Sequence, residues 1–279
     1  MMKKILITGG DGQLGNCFSS MFDEKYKLLR PPEQEFDITN INQVKTMIKK
    51  YNPEIIINCA AITDVDGCED NPIIAENINA LAIKNLLDVF KGFFIHISTD
   101  YVFDGKKGPY KESDIPNPIN MYGKTKLFGE EIVKNNSKQW VILRTNVLFG
   151  LTSKASFVSW VVDSLKENKE IFVVDDQINN PIWINDFAKI IDLVISNNLK
   201  GLFHVGSNTF CSRYEFANMI AEVFNLKKGK IHPISTKSLN QKAERPLKSG
   251  LISNKLLSEI KSGEVDLKKS LKELKNIFD

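Results

Sequence analysis

The sequence has few of the residues that build metal sites and disulfide frameworks. Its 279 residues include four cysteines and three histidines, with no CxxC pair and no Cys/His cluster at metal-ligand spacing. The apolar run at residues 5–7 is far too short for a signal peptide or a membrane span. We therefore expect a protein of the reducing cytoplasm, without a bound metal and without a membrane partner.

An excess of charge of one sign is also lacking. The chain has 37 basic and 34 acidic residues, a formal net charge of +3, and its lysines are scattered. This balance does not favour a nucleic-acid partner. With 42% hydrophobic and 25% charged residues, the composition is that of a globular protein with one large domain or two associated ones.

Short apolar segments alternate with longer amphipathic ones along the chain. Strands are predicted at residues 3–9, 26–30, 54–60, 93–98 and 140–145, with further candidates at 170–174 and 201–206. Helices are predicted at residues 13–22, 41–51, 72–90, 184–196, 213–224 and 266–278, and another begins near Tyr122. Continuous apolar strands separated by helices indicate an α/β fold with a doubly wound parallel sheet of the Rossmann type.

The first predicted strand runs directly into a glycine-rich loop. Gly9, Gly12 and Gly15 form G-x-x-G-x-x-G ahead of a predicted helix. Glycines allow the backbone to approach a ligand, and a helix N-terminus favours a pyrophosphate. Such glycines can also serve the turn alone, but the order strand, loop, helix favours a dinucleotide site. The usual spacing is G-x-G-x-x-G, and this loop has one extra residue between its first two glycines. This variant spacing resembles that of the extended short-chain dehydrogenase/reductase superfamily.

The residue that ends the second predicted strand bears on the choice of cofactor. An acidic residue at this position would bond the ribose 2′-hydroxyl and favour NAD. This strand ends with Arg30, which could neutralise the 2′-phosphate of NADP. A solvated charge at a strand end is an equal alternative. The sequence thus favours NADPH, with NADH as the second choice.

Tyr122 and Lys126 are four residues apart and share one face of a predicted helix. The preceding strand ends in Ser98, Thr99 and Asp100, at the sheet edge where ligands bind. Tyr-x-x-x-Lys with an upstream Ser or Thr is the active-site pattern of the superfamily just mentioned. Tyr122 would be the general acid of a ketone reduction, with its pKa lowered by Lys126, and Thr99 would hydrogen-bond the carbonyl oxygen. The alternative is an ordinary surface pair without a catalytic role, in which the aliphatic part of the Lys126 side chain covers the Tyr122 ring.

Six segments together resemble the dTDP-4-dehydrorhamnose reductase family: GGDGQLG, FDITN, NCAAITDVDGCE, ISTDYVFDG, NPINMYGKTKLFGE and RTNVLFG. The resemblance covers essentially the whole chain and is strongest over residues 3–150. It implies reduction of the 4-keto group of a dTDP-6-deoxy-L-hexulose with NAD(P)H. It also implies a Rossmann domain over residues 1–148, joined by a segment near 180–206, and a smaller α/β sugar-nucleotide-binding domain over 149–279.

The resemblance assigns roles to individual residues. The implied catalytic residues are Thr99, Tyr122 and Lys126. The implied cofactor-binding residues are Gly9, Gly12, Gln13, Leu14, Gly15, Arg30, Asp37, Ile38, Ala61, Ile62, Thr63, Tyr122 and Lys126. The implied substrate-binding residues are Thr99, Asp100, Tyr122, Val147 and Arg245.

Two departures from the family pattern concern the sugar pocket. Val147 stands where the family usually has tryptophan, and Phe149 stands where it has tyrosine. The segment 177–183 also differs from the usual Q-x-G-x-P-T. We therefore expect intact catalytic machinery and an altered substrate pocket. Asn16 follows the glycine loop where some relatives place acidic residues for a Mg²⁺-linked dimer, so no metal is expected, although a homodimer is possible.

Three kinds of function remain open at this point. The first is reduction of dTDP-4-dehydro-β-L-rhamnose or of another nucleotide-linked 4-keto-6-deoxysugar, for cell-surface polysaccharide synthesis. The second is an epimerase or dehydratase reaction of the same superfamily. The third is a non-catalytic, NADP-binding regulatory subunit. Retention of Tyr122, Lys126 and Thr99 favours an enzyme, and the expected partner is a small nucleotide-sugar.

Overall fold

A six-stranded parallel sheet forms the centre of the computed structural model, which describes residues 2–22, 24–150 and 156–278. Small parts of both predicted domains lie outside the described residues. These are residues 1 and 23 of the predicted domain 1–148, and residues 151–155 and 279 of the predicted domain 149–279. No helix within the described ranges is long and apolar enough to cross a bilayer.

The described residues form short strands and helices in alternation. The strands are β1 (Lys4–Thr8), β2 (Lys27–Leu29), β3 (Ile55–Asn58), β4 (Phe93–Thr99), β5 (Trp140–Thr145), β6 (Leu148–Phe149), β7 (Ile171–Val174), β8 (Ile178–Asn179), β9 (Ile182–Trp183), β10 (Gly201–Val205), β11 (Cys211–Ser212) and β12 (Ile231–Ile234). The α-helices are α1 (Gln13–Phe22), α2 (Ile41–Tyr51), α3 (Val65–Asp70), α4 (Pro72–Glu76), α5 (Ala82–Val89), α6 (Met121–Asn136), α7 (Phe157–Lys166), α8 (Ile184–Ser196), α9 (Arg213–Val223), α10 (Asn254–Ile260) and α11 (Leu267–Phe278).

The strand order of the central sheet is β10-β5-β4-β3-β1-β2, with every neighbouring pair parallel. The chain leaves β1 towards β2 and then returns to the other side of β1 for β3. The order therefore reverses between β1 and β3, the position where open α/β sheets bind ligands. The prediction of a doubly wound Rossmann-type sheet is confirmed.

Helices cover both faces of this sheet, and β1 shows how the sequence divides its residues between them. Ile5 and Ile7 are fully buried in a core shared with α1 and α8. Leu6, between them, is fully buried in the opposite core with α2 and α5. Because side chains alternate along a strand, a continuous apolar run fills both cores at once.

The predicted helix over residues 72–90 is interrupted. A π-helical turn, Asn77–Leu81, separates α4 from α5. Such turns insert an extra residue and are frequent at functional sites. The short helix α3 was not predicted; Asp64 caps it by accepting a hydrogen bond from the Gly67 amide at 3.0 Å.

The strands of the later half have different partners. Residues 201–205 form β10 and pair with β5 at the edge of the central sheet. Residues 171–174 form β7, which pairs with β12 in a separate two-stranded parallel sheet. Residues 245–252 lie between the two halves, since Lys248 donates its amide to Gly105 and Ile178 donates its amide to Leu247.

Candidate active site

The glycine loop has a geometry that only glycine allows. Gly9 has φ of +64°, and a Cβ added there would lie 2.8 Å from the Ala60 backbone. A Cβ added at Gly15 would lie 2.5 Å from the Gly10 carbonyl oxygen. The close packing brings the start of α1, at Gln13, directly behind the loop. The first amides of a helix lack intrahelical partners and carry its positive dipole end, so the loop fits a pyrophosphate.

A cavity of about 280 Å³ opens at the switch point between β1 and β3. Six predicted cofactor residues line it: Gly9, Gly12, Asp37, Ile38, Ala61 and Ile62. The remaining lining residues are Gly10, Asp11, Pro31, Glu33, Phe36, Thr39, Cys59, Ala60 and Ile78. Apolar walls beside a glycine loop fit an adenosine diphosphate group. The predicted Gln13, Leu14 and Gly15 begin α1 just behind the loop, and Thr63 is exposed after Ile62.

Arg30 lies behind the glycine loop and outside the residues that line the cavity. Its Nη1 donates to the carbonyl oxygens of Gly10 and Gly15 at 3.3 and 3.2 Å and to Asn16 Oδ1 at 3.1 Å. The guanidinium therefore stabilises the glycine loop from behind, whereas it was expected to contact the 2′-phosphate of the cofactor ribose. Binding of a 2′-phosphate by Arg30 stays a prediction, and the carboxylate of Glu33 lines the cavity nearby.

Tyr122 and Lys126 lie in the first turns of α6, which begins beside the end of β4. Asn120 caps this helix by accepting a hydrogen bond from the Gly123 amide at 2.8 Å. Lys126 is 3% exposed, and its Nζ donates to the Ile97 carbonyl oxygen at 2.7 Å. Thr99, 5% exposed at the end of β4, accepts a hydrogen bond from the Tyr101 amide at 3.2 Å, and the Tyr101 ring meets the Tyr122 ring edge-on at 5.6 Å. The structure thus brings the three predicted catalytic side chains together.

Burial controls the pKa values of this pair. It raises the pKa of Tyr122 above its usual range, while the nearby Thr99 hydroxyl acts in the opposite direction. It lowers the pKa of Lys126 to about 8, opposed by the negative charge of Glu130. The expected lowering of the Tyr122 pKa by Lys126 is therefore not observed. Desolvation of the phenolate is the main cause of the raised pKa, the negative charge of Asp100 acts in the same direction, and the Lys126 ammonium is directed at the Ile97 carbonyl oxygen.

Asp100 follows Thr99 and is 2% exposed. One of its carboxylate oxygens accepts a hydrogen bond from Thr99 Oγ1 at 3.1 Å, and the other accepts from Ser249 Oγ at 2.5 Å. Burial raises the pKa of Asp100 to about 6, although both hydrogen bonds oppose this shift. Ser249 lies 149 residues away in the chain, so Asp100 connects the end of β4 to the later half of the protein.

The two other predicted substrate residues have distinct environments. Arg245 makes two hydrogen bonds of 3.0 Å to the Asp66 carboxylate on α3, and its side chain is 8% exposed. Val147 follows β5 with φ of +26°, a rare conformation for a β-branched residue. Such strain is often found at functional sites. Val147 lies just after β5, and Asp66, the partner of Arg245, lies just after β3, so both residues lie near the carboxyl edge of the sheet; their role in substrate binding stays a prediction.

Asn79 in the π-helical turn was missed from the sequence. It is fully buried, and its Oδ1 accepts from the Ile62 amide at 2.8 Å. Its Nδ2 donates to the Ile62 carbonyl oxygen and to Thr125 Oγ1, both at 3.1 Å. Asn79 thereby joins a loop that lines the cavity to the helix that carries Tyr122. An asparagine among the apolar positions of a predicted helix was the available signal.

No three His, Cys, Asp or Glu side chains of the described ranges come together in a way that could hold a metal ion. The side chains at the sheet edge are instead a phenol, an ammonium, a hydroxyl and a carboxyl group beside a glycine loop. Such a set can move a proton and stabilise a developing oxyanion.

The parallel sheet and its glycine loop define a Rossmann-type α/β protein. The family described as "RmlD substrate binding domain" matches residues 2–278, and the chain belongs to this family. Its fold is similar to the crystal structure of dTDP-4-dehydrorhamnose reductase from Bacillus anthracis str. Ames in complex with NADP. The TM-score is 0.94 with 34% sequence identity, over 99% of this chain and all of the other.

Two curated relatives show that similar sequences have different assignments. The spore coat polysaccharide biosynthesis protein SpsK of Bacillus subtilis (strain 168) is 33% identical over 263 residues, 92% of each chain. Methionine adenosyltransferase 2 subunit beta of Bos taurus is 33% identical over 273 residues, 91% of this chain and 81% of the relative. One name refers to polysaccharide synthesis and the other to a subunit of a different enzyme.

Proposed function

We propose that this protein is an NAD(P)H-dependent oxidoreductase that reduces the 4-keto group of a nucleotide-linked 6-deoxyhexulose. The substrate we favour is dTDP-4-dehydro-β-L-rhamnose, with dTDP-L-rhamnose as the product and cell-surface polysaccharide as its use. The observation that carries this proposal is the arrangement at the sheet edge: buried Thr99 ends β4, and Tyr122 lies at the start of α6, one helical turn before buried Lys126, whose Nζ donates to the Ile97 carbonyl oxygen. Similarity to the NADP-bound reductase of B. anthracis supports the cofactor and the reaction.

The cofactor would lie along the cavity between β1 and β3, with its pyrophosphate at Gly12 and the start of α1. Bound there, NADPH would supply the hydride. We favour NADPH over NADH because the similar reductase of B. anthracis is in complex with NADP, and because Arg30 follows the second strand, beside the glycine loop.

Tyr122 would donate the proton to the substrate oxygen, and Thr99 would hydrogen-bond the same oxygen. A tyrosine with a raised pKa is fully protonated at neutral pH, which suits an acid that must hold its proton until the oxyanion forms. Lys126 would contribute a positive charge to the same region as long as the pH stays below its pKa of about 8. Tyr122 would therefore stay protonated until it donates its proton to the substrate, and Lys126 would be the group of the pair that changes its charge near pH 8.

The similarity to methionine adenosyltransferase 2 subunit beta favours a second candidate, a non-catalytic NADP-binding subunit. An epimerase is a third. Turnover of the cofactor separates them. A reductase consumes one NADPH for each ketone reduced, an epimerase returns its cofactor unchanged, and a binding subunit shows affinity without turnover.

The test is a panel of nucleotide-linked 4-keto-6-deoxysugars, with NADPH oxidation followed at saturating cofactor and product configuration read by NMR. Tyr122→Phe removes only the hydroxyl and should slow oxidation about 10²–10⁴-fold, the usual contribution of a general acid. Tyr110→Phe is the matched control, because it removes a hydroxyl that is hydrogen-bonded to Asp104 and to the Lys107 amide and to none of the proposed catalytic side chains among the described residues. Near-normal reduction by Tyr122→Phe would remove the acid role. Tight NADPH binding without oxidation across the panel would favour the subunit.

A further inference from the structure

Arg213, the first residue of α9, has a fixed orientation. Its guanidinium lies over the Phe157 ring, 5.4 Å from the centroid. Phe157 in turn stacks on Phe216 at a centroid distance of 5.6 Å and an interplanar angle of 15°. Planar guanidinium groups stack well on aromatic rings, which leaves their edge nitrogens free to bind. The half-buried side chain is therefore held in place before any ligand binds.

Arg213 also differs from the three other arginines of the chain, each of which has acceptors. Arg144 bonds Glu130, Arg245 bonds Asp66, and Arg30 bonds the carbonyl oxygens of the glycine loop. Across the residues that the structure describes, no carboxylate oxygen lies within 4.0 Å of the Arg213 guanidinium, and its side chain donates no hydrogen bond. Burial of an unpaired cation is unfavourable, so an anionic partner would relieve it.

The position of Arg213 connects it to the catalytic side chains. The Arg213 amide donates to the Gln177 carbonyl oxygen, the neighbouring Ile178 accepts from the Ser249 amide, and Ser249 Oγ donates to Asp100. In agreement with this placement, burial raises the pKa of Asp100 and of Tyr101, and the positive charge of Arg213 opposes both shifts. Asp100 directly follows Thr99, and the Tyr101 ring meets the Tyr122 ring edge-on at 5.6 Å. Asp100 forms no salt bridge with Arg213, and its oxygens accept hydrogen bonds from Thr99 and Ser249. Among the described residues, a cation without a carboxylate within 4.0 Å thus lies in the region of Asp100 and Tyr101, near Tyr122 and away from the lining of the cofactor cavity.

We propose that Arg213 binds the diphosphate of the nucleotide-sugar and thereby positions the sugar against Tyr122. This inference rests on the proposed function, since a nucleotide-linked sugar carries its negative charge on that group. The guanidinium fork matches two phosphate oxygens at once. The cofactor's own pyrophosphate is served by the glycine loop and α1, and no residue of α9 lines that cavity. Arg213 would therefore be a specificity residue for the substrate alone.

The test measures binding of dTDP, and separately of UDP, to the full chain saturated with NADP⁺, by titration calorimetry. Arg213→Gln should weaken both nucleotides about tenfold to a hundredfold, the usual effect of losing a hydrogen bond to a charged group. NADP⁺ affinity should not change. Lys228→Gln is the control, because it removes one positive charge bonded to Glu222 of the same helix and should leave dTDP binding unchanged.

Unfolding in urea separates a binding role from a structural one. Because Arg213 has no anionic partner of its own within the described residues, Arg213→Gln should leave the midpoint unchanged or raise it. Arg213→Lys keeps the charge without the fork and should bind dTDP between wild type and Arg213→Gln. In steady state, KM for the sugar nucleotide should rise more than kcat falls.

Wild-type dTDP affinity in Arg213→Gln would overturn the inference. A lowered urea midpoint together with weaker NADP⁺ binding would also overturn it, because Arg213 would then support the fold. Dependence of dTDP binding on Arg213, with no ketone in the panel reduced, would overturn the proposed reaction and leave the diphosphate site standing. The two proposals can thus fail separately.

Discussion

Replacing Glu130 by glutamine should destabilise the protein by about 3–5 kcal/mol, the usual cost of breaking a buried ion pair. The Glu130 side chain is fully buried, and that of Arg144 is 1% exposed. Arg144 donates from Nε and Nη2 to the two carboxylate oxygens at 2.8 and 2.7 Å, and Ser98 Oγ donates to Oε1 at 2.6 Å. The pair joins α6, which carries Tyr122, to β5 and β4.

The magnitude follows from what the change leaves behind. Burial acts to raise the pKa of Glu130, but the hydrogen bonds and charge of Arg144 outweigh it and hold that pKa below its usual value. The carboxylate is therefore ionised, and Glu130→Gln leaves a buried guanidinium without its counter-ion. Within the described residues, Arg144 Nη1 already has no hydrogen-bond partner. A loss of about 3–5 kcal/mol is a large share of a typical net stability of about 5–15 kcal/mol.

A double variant tests this reasoning against simple loss of packing. Glu130→Met combined with Arg144→Met removes both charges and keeps most of the buried volume. It should be less destabilised than the sum of its single variants, because neither partner is left charged and alone. The measurement is urea unfolding followed by fluorescence. Additive losses in the double variant would refute the ion-pair account.

The same substitution should also alter catalysis through Lys126. Glu130 lies one helical turn after Lys126, and its negative charge raises the lysine pKa against the lowering effect of burial. Removing that charge should lower the Lys126 pKa further. If the ammonium is the active form, the alkaline fall in the rate of NADPH oxidation should begin at lower pH in Glu130→Gln than in wild type. An unchanged pH profile would separate Glu130 from the titration of Lys126.

Three further outcomes are expected. In the wild type, kcat for reduction should fall as pH rises through the Lys126 pKa of about 8. The ammonium of Lys126 is lost there, whereas Tyr122, with its raised pKa, stays protonated. A flat kcat profile from about pH 7 to 9.5 would contradict this. Asn79→Ala leaves the amide and carbonyl of Ile62 unpaired and should cost about 1–3 kcal/mol in urea unfolding and weaken NADP⁺ binding. Val147→Trp should change relative kcat/KM among sugar nucleotides more than NADP⁺ affinity, and unchanged ratios would place Val147 outside the pocket.

Elements with strong local signals could be predicted from the sequence. Helices 13–22, 41–51 and 184–196 and strand 140–145 have the predicted limits. The helix over 41–51 shows why: Asn40 caps its start by accepting amide hydrogen bonds, and Asn52 ends it in the left-handed conformation. Apolar periodicity and caps are encoded within a few neighbouring residues, so a single sequence is sufficient to locate them.

Other features depend on residues far apart in the chain. An apolar run predicts a strand at residues 170–174, but the partner of the observed strand is residues 231–234, about sixty residues later. The π-helical turn at 77–81 is likewise a tertiary feature, because it places Asn79 against Ile62 and Thr125. Local pattern gives the type of an element, whereas strand pairing and helix irregularity depend on contacts that a single sequence does not specify.

The candidate site divides in the same way. The spacing of Tyr122 and Lys126 predicts that they share a helix face, and the end of β4 predicts Thr99 beside them. The sign of the Tyr122 pKa shift does not follow from spacing, because it depends on how completely the folded chain removes water from the phenol. The role of Arg213 could not be predicted from neighbouring residues, because its charge acts on Asp100 and Tyr101 only through the placement of α9 in the fold. Residue types and spacing therefore indicate which chemistry is available. The long-range packing decides which of these groups titrates near neutrality and which cation is left to bind an anion.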